Sequence, residues 1–338
     1  MARVFSRRWN FLLLLAAAAV LARADTTYQL RDLGTLGGAN SRAYGINEQG
    51  WVVGEAETQA GELHAFLWTP TNGMTDLGTL GGAISRAYGL NDRGQVVGEA
   101  ELEDGRVHPF LWTAAAGLTN LPLPEGFREG YAYAHNNFGV AAGAGDVGEG
   151  TRALTWSVDG PQVPGPLTNS GSSLAHDVND LGDLAGQSET GDEDAYVSRA
   201  FFLGHAGYAG NLGGVTGEYS SAALAVNERG QAAGYAESGD ATHAVVFDPT
   251  NGWTDLDSLD NVYSVAHGIN DEGLAVGLFV RSHEDDDRAF VASADGMADL
   301  NELVETDQPW LLVEARAINN AGQIAGYGLV NERERAFL

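Results

Sequence analysis

The sequence predicts an all-β fold, a seven-bladed β-propeller of four-stranded blades, and three observations predict it. A motif of Asn-x-x-Gly, followed after three residues by a second Gly, occurs seven times, starting at Asn47, Asn91, Asn136, Asn179, Asn227, Asn270 and Asn319. Successive copies stand 44, 45, 43, 48, 43 and 49 residues apart, a period that fits one blade of four short strands. The third observation concerns the two ends of the repeat array. Asp32-Leu33-Gly34-Thr35-Leu36 reads as a fourth strand with no first three before it, and Arg335-Ala336-Phe337-Leu338 as a third strand with no fourth after it. The deficits complement each other, so the last blade is expected to be closed by the N-terminal strand, which removes two sheet edges. A β-solenoid competes, but its coils usually have shorter periods.

Residues 1–24 read as a signal peptide rather than part of the fold. Arg3, Arg7 and Arg8 form a basic start, Phe11 to Leu21 an apolar run too short to span a bilayer, and Ala22-Arg23-Ala24 a cleavage site. Ser6-Arg7-Arg8 hints at twin-arginine export, although the following residues fit general secretion equally well. Residues 25–338 are then expected to form one propeller domain, in the periplasm or outside the cell. The second repeat shows the strands in order: Ser85 to Leu90, Gln95 to Glu101, Val107 to Thr113 and Leu118 to Leu123. Asn favours the start of a type I turn and Gly its left-handed position, so each Asn-x-x-Gly should join the first two strands as a hairpin.

Within the repeats, His64-Ala65-Phe66 has the variants His108-Pro109-Phe110 and Arg199-Ala200-Phe201. Around these stand Asp-Leu-Gly-Thr-Leu-Gly-Gly, Ala-Tyr-Gly-Ile-Asn, Val-Val-Gly and Phe-Leu-Trp-Thr. In these motifs the chain resembles the HAF-repeat family of predicted extracellular bacterial repeat proteins, strongly in the first two repeats and loosely in the third, fourth and seventh. The resemblance implies export and a repeat fold. It carries no activity or site.

Composition narrows the partners. Cysteine is absent, so the fold uses no disulfides, and lysine is absent too. Removing the four arginines of the signal leaves 14 basic against 46 acidic residues, a mature net charge of −32. Nucleic acid and anionic membranes depend on clustered Lys and Arg and are disfavoured, and no second apolar stretch offers a membrane span. The loops between second and third strands are acidic, as at Glu101 to Asp104. In propellers these loops share a face with the connections between blades. Asp192, Asp194, Asp285 and Asp287 could hold Ca²⁺ through carboxylate oxygens, the one cofactor the sequence leaves open. Their spacing matches no defined calcium loop, and a solvated charge run is the plainer reading.

Two columns of the repeat invite a chemical reading. On the third strand, His64, His108, Arg152, Arg199, His243, Arg288 and Arg335 fill one position in every repeat. That regularity argues for a structural hydrogen-bonding slot. On the first strand an alanine is kept at positions 43, 87, 132, 175, 223, 266 and 315, while the next position varies: Tyr44, Tyr88, Tyr133, His176, Leu224, His267 and Arg316. Repeats diverge where a site must have a direction. Tyr44, Tyr88, Tyr133, His176, His267 and Arg316 are therefore the candidate ligand-binding residues beside the axis, with wedging between blades as the alternative role.

Gly-x-Ser-x-Gly, a cysteine nucleophile and a phosphate cradle are all missing, so no catalytic constellation is legible. The sequence reads as a secreted, monomeric, non-enzymatic module that binds an extracellular glycan or protein at the channel mouth. A polysaccharide lyase or hydrolase on the same scaffold is the alternative, by analogy of fold alone.

The charge also carries a stability prediction. Self-repulsion at −32 opposes compaction, and about 1 M salt shortens the screening length to about 3 Å. Thermal unfolding followed from dilute to molar NaCl should show a rising melting temperature; a falling one would mean that repulsion is a minor force.

Overall fold

The computed structural model describes residues 27–164, 171–190, 197–204, 209–211, 220–239, 241–257, 261–281 and 286–338. Residues 1–24, the expected signal segment, lie outside them. Each sheet is organised around its Asn turn, which joins its first two strands. In the first, the Gly50 N–H donates to the Asn47 carbonyl at 3.0 Å, and the Asn47 side-chain oxygen accepts from the N–H groups of Gln49 and Trp51 at 3.1 and 2.9 Å. Gly50 takes φ 71°, the left-handed region the turn needs. The second glycine answers a different constraint. The first strand shifts register between Ala43 and Gly45, and a Cβ on Gly54 would collide with the Arg42 carbonyl.

The strand before each turn and the three after it pair antiparallel in chain order. Gly37–Ile46, Val52–Thr58, Leu63–Thr69 and Gly73–Asp76 form the first four-stranded sheet. The same order recurs from Gly81–Leu90 to Gly117–Asn120, from Glu129–His135 to Gly160–Gln162, and from Ser173–Val178 to Ala209–Asn211. Beyond these the pattern changes. Strands from Ser221–Val226 to Gly296–Asp299 belong to one eight-stranded sheet, and Trp310–Ile318, Ile324–Val330 and Arg333–Phe337 form a three-stranded one.

The architecture is all-β and propeller-like, but the expectation of seven four-stranded blades is corrected. Counted as hydrogen-bonded sheets of four or more strands, the blades number five: four separate sheets and the eight-stranded one. Two local causes account for the difference. Thr242 pairs in parallel with Tyr263 and fuses the strands of two repeats into a single sheet. The N-terminal closure strand shrinks to a bridge between Asp32 and Phe337, with Arg31 and Leu338 exchanging hydrogen bonds at 2.7 and 3.0 Å and the Leu33 N–H donating to Ala336 at 3.0 Å. Tyr28–Gln29 pairs elsewhere, in parallel with Val304–Glu305.

Apolar cores lie between neighbouring sheets. Val53, Ala65 and Leu67 of the first pack on Ala87, Leu90, Val96 and Phe110 of the second. A serine staples the same interface, because the Ala65 N–H donates to Ser85 Oγ at 2.8 Å. Equivalent staples join Ala153 to Ser173, Ala200 to Ser221, Ala244 to Ser264 and, across the seam of the ring, Ala336 to Ser41. Pro109 stands where the others have alanine and has no N–H to give. The facing residue is Gly130 instead of serine, and a Cβ there would crowd Pro109 and Leu123.

The turns themselves close a circle. The Asn47 amide donates to the Asn91 carbonyl, Asn91 to Asn136, and so through Asn179, Asn227, Asn270 and Asn319 back to Asn47, at 2.9–3.2 Å. All seven side chains are buried. A second circle runs beside it, in which the N–H after each Asn donates to the corresponding side chain of the next repeat: Glu48, Asp92, Asn137, Asp180, Glu228, Asp271 and Asn320. Replacing Asn136 by Asp tests the first circle. The turn keeps its acceptor, but a carboxylate then faces the Asn179 carbonyl in place of a donor. A loss of about 1–3 kcal/mol at neutral pH is expected from chemical denaturation, shrinking against wild type as acid restores an O–H donor. An unchanged midpoint would show that the circle contributes nothing.

Candidate functional site

The divergent first-strand column sits on the axis. Tyr44, Tyr88, Tyr133, His176, Leu224, His267 and Arg316 line two cavities at once, so they form a waist in an axial channel. The smaller cavity, about 220 Å³, lies toward the Asn turns and includes His135 and Asp177. The larger, about 530 Å³, lies toward the start of the first strands and adds Arg42, Glu55 and Arg86. All six sequence-predicted ligand residues are thus brought together. Each follows a buried alanine whose small side chain lets the strands crowd the axis.

Around the waist the residues form two arcs. Tyr44, Tyr88, Tyr133 and His176 follow one another with ring centroids 5.5–5.8 Å apart, and the Arg316 guanidinium lies 5.5 Å from the Tyr44 ring centre. Leu224 and His267 complete the circle. Tyr44 donates to Glu55 at 2.8 Å, and Tyr88 bonds to Glu99. Burial is the main force raising both phenols above their ordinary range, with the neighbouring carboxylates adding to it. The Tyr133 hydroxyl has no hydrogen-bond partner among the described residues.

The charged groups of the larger chamber come from the first, second and last repeats. Arg86 bridges Glu55 and Glu99 at 2.6 Å each, and Arg42 makes a two-pronged pair with Glu334 at 2.5 and 2.7 Å. Glu314, which is buried, lies 2.7 Å from His267 Nε2 and 3.0 Å from Arg316 Nε. Burial alone would raise Glu314, but the His267 hydrogen bond and the Arg316 charge outweigh it and hold the carboxyl at about 2. Burial also lowers His267, so the pair rests as neutral imidazole and carboxylate. In the third to sixth repeats the positions of Arg42 and Arg86 carry Tyr131, Leu174, Ala222 and Val265. One side of the chamber is ionic and the other is not.

Sequence reasoning missed the glutamates, because they belong to other columns. Glu55 and Glu99 directly follow the second glycine of the motif, where other repeats have Ala144, Gln187, Tyr235, Leu278 and Tyr327; that divergent column was a usable signal. His135 and Asp177 were missed too. Both interrupt columns that are otherwise apolar or glycine, and burial moves His135 down to about 4 and Asp177 up to about 6. Asp177 accepts the N–H groups of Val178 and Val226 at 2.8 Å, across to the next repeat.

The third-strand slot is structural. His64, His108 and His243 meet Asp76, Asn120 and Asp255 at the end of the adjacent fourth strand, at 2.7–3.2 Å. Arg335 reaches Asp32 at 3.9 Å, the same pairing across the ring seam. The acidic loops are partly structural as well: Glu57, Glu101, Glu189 and Glu237 accept N–H groups at the start of the first strands. Of the calcium candidates, Asp192, Asp194 and Asp285 lie outside the described residues and Asp287 is exposed. Among the described residues no group of three or more His, Asp or Glu could hold a metal ion. A separate groove of about 460 Å³ follows the seam between Tyr28–Arg31 and Leu312, Ile324 and Phe337, away from these acids and bases.

No protein-family model and no curated protein sequence matches the chain. Solved structures do. The β-propeller domain of the Trilobed protease from Pyrococcus furiosus, which has an open velcro topology, aligns at a TM-score of 0.58 and 10% identity over 88% of this chain and 94% of its own. A streptogramin B lyase aligns at 0.55 and 13% identity over 93% and 98%. TolB from Acinetobacter baumannii aligns at 0.50 and 12% identity over 73% of this chain, which spans 61% of TolB. These likenesses establish the propeller fold. Among the described residues no helix is long and apolar enough to cross a membrane.

Burial also lowers His176 to about 4. Unfolded histidine takes up its proton near pH 6.5, whereas these two rings resist until about 4. Their neutral forms therefore contribute stability above pH 6.5 that is lost as the pH falls toward 4. Native-state titration of the ring protons by NMR should place both midpoints near 4. Midpoints at or above about 6.5 would show that burial does not hold them neutral.

Proposed function

We propose that this protein is an exported binding module, of the HAF-repeat kind, which takes a carbohydrate in the larger axial chamber. The observation that carries the proposal is the run of three contiguous tyrosines at the waist, one with an unpartnered hydroxyl, beside a cluster of fixed ionic groups. Sugars need aromatic faces and a few directional hydrogen bonds, and this arc supplies three rings, tilted 41° and 62° from one to the next, with phenol hydroxyls among them. The chamber lies toward the face of the interblade connections and the acidic loops.

An enzymatic reading, a polysaccharide lyase or hydrolase, draws on one specific feature. His267 with Glu314 is an imidazole oriented by a carboxylate beside the chamber, the arrangement a general base uses. Binding is preferred because Glu314 is shared between His267 and Arg316 and the other glutamates are committed to arginine pairs.

Screening the purified protein against neutral and acidic oligosaccharides, with and without calcium, tests the proposal. The best ligand should bind at least about tenfold more weakly to Tyr133→Ala, with the melting temperature little changed. A ligand indifferent to that substitution, or no ligand at all, would overturn the axial site. Conversion of the ligand to product would move the assignment to the enzyme.

A further inference from the structure

The three arginines of the larger chamber differ in how completely they are used. Arg42 spends its Nε and one terminal nitrogen on Glu334, and Arg86 is held between Glu55 and Glu99. Arg316 meets Glu314 through Nε, and among the described residues its two terminal nitrogens have no hydrogen-bond acceptor. A guanidinium presents a planar fork of donors that matches a carboxylate, and here the fork lines the chamber at its waist. Glu314 does not occupy it, because that carboxylate is buried behind it and shared with His267.

The fork also stands at one end of the stacking surface. Arg316 lies against the Tyr44 ring, and the arc continues through Tyr88 to Tyr133. A ring laid on Tyr44 therefore has a carboxylate anchor beside it, with the Tyr88 and Tyr133 rings continuing the arc. Among the interior glutamates, Arg42 neutralises Glu334, while Arg86 is shared by Glu55 and Glu99, which also accept the Tyr44 and Tyr88 hydroxyls, so one carboxylate charge is left on that side of the chamber. The acidic exterior does oppose a long polyanion, which would have to lie along it.

Building on the carbohydrate-site reading, we infer that the axial chamber takes a small ring-shaped ligand bearing a single carboxylate, with Arg316 as its anchor and Tyr44, Tyr88 and Tyr133 as its stacking surface. Uronic acids and aromatic acids share this chemistry, and paired probes separate them.

The experiment is calorimetric titration of the purified protein with D-glucuronate against D-glucose, and with benzoate against benzyl alcohol. In at least one pair the acid should bind about tenfold or more tighter than its neutral partner, and the pair that shows it identifies the source. Arg316→Gln should reduce the preference to about twofold and lower the melting temperature, because buried Glu314 keeps only the neutral His267 as a partner. Arg316→Lys, which keeps the charge but not the fork, should retain only part of it. An acid that binds no tighter than its neutral partner, no binding by any probe, or a preference that survives Arg316→Gln would each overturn the inference. Glucose bound without acid preference, and lost in Tyr133→Ala, would remove the carboxylate anchor while leaving the carbohydrate site standing.

Discussion

The circle of seven asparagine amides is the constraint on which the molecule depends. Each side chain is both acceptor and donor: its oxygen organises its own turn, and its nitrogen reaches the next turn's carbonyl. The turn and the angle between neighbouring repeats are therefore set by one residue. The circle must also close, and Asn319 to Asn47 spans 272 residues of chain. Closing so long a loop costs about 5 kcal/mol of chain entropy by logarithmic scaling. The seam spreads that cost over several bonds at about 1 kcal/mol each: Asn319 to Asn47, Asn320 to Glu48, Ala336 to Ser41, Glu334 to Asn40 and the strand contacts at Arg31 and Leu33.

The period, the hairpin turn and the complementary ends were legible because each depends on a few residues repeated in register. The sheet count was not. A single parallel pairing of Thr242 with Tyr263 joins two sheets, and nothing in either residue type announces it. The narrowing of the closure strand to one bridge is equally local. Other features were legible but required two columns to be read against each other. Proline at 109 and glycine at 130 look like unrelated losses of the pattern, yet one removes the donor that the other's missing hydroxyl would have accepted.

The same distinction governs the site. Its waist was visible as the varying first-strand position that follows an invariant alanine, and all six residues meet on the axis. Their chemistry was hidden, because protonation and pairing come from the glutamates on neighbouring columns. His267 is an ordinary histidine until Glu314, a whole repeat further along the chain, is placed 2.7 Å from it. Spacing along one strand carries no information about that meeting; it depends on how the repeats are rotated about the ring.

A ring of near-identical repeats has no preferred direction, so a directional site requires the repeats to differ. Here they differ by sector. The first, second and last repeats bring Arg42, Glu55, Arg86, Glu99, Glu314 and Arg316, while the third to sixth place uncharged residues at the positions of the two leading arginines. Burying such charges is tolerable only when each finds an opposite partner, because an unpaired ion loses several kcal/mol of hydration. Contiguity of the three repeats around the seam meets that requirement, since Arg42 reaches back across it to Glu334 and Arg86 reaches to Glu55 of the repeat before. Charges scattered evenly round the ring would lack those cross-repeat partners. Pairing thus gathers the ionic residues into one sector, and that sector leaves the tyrosine arc and the open fork of Arg316 facing a common chamber.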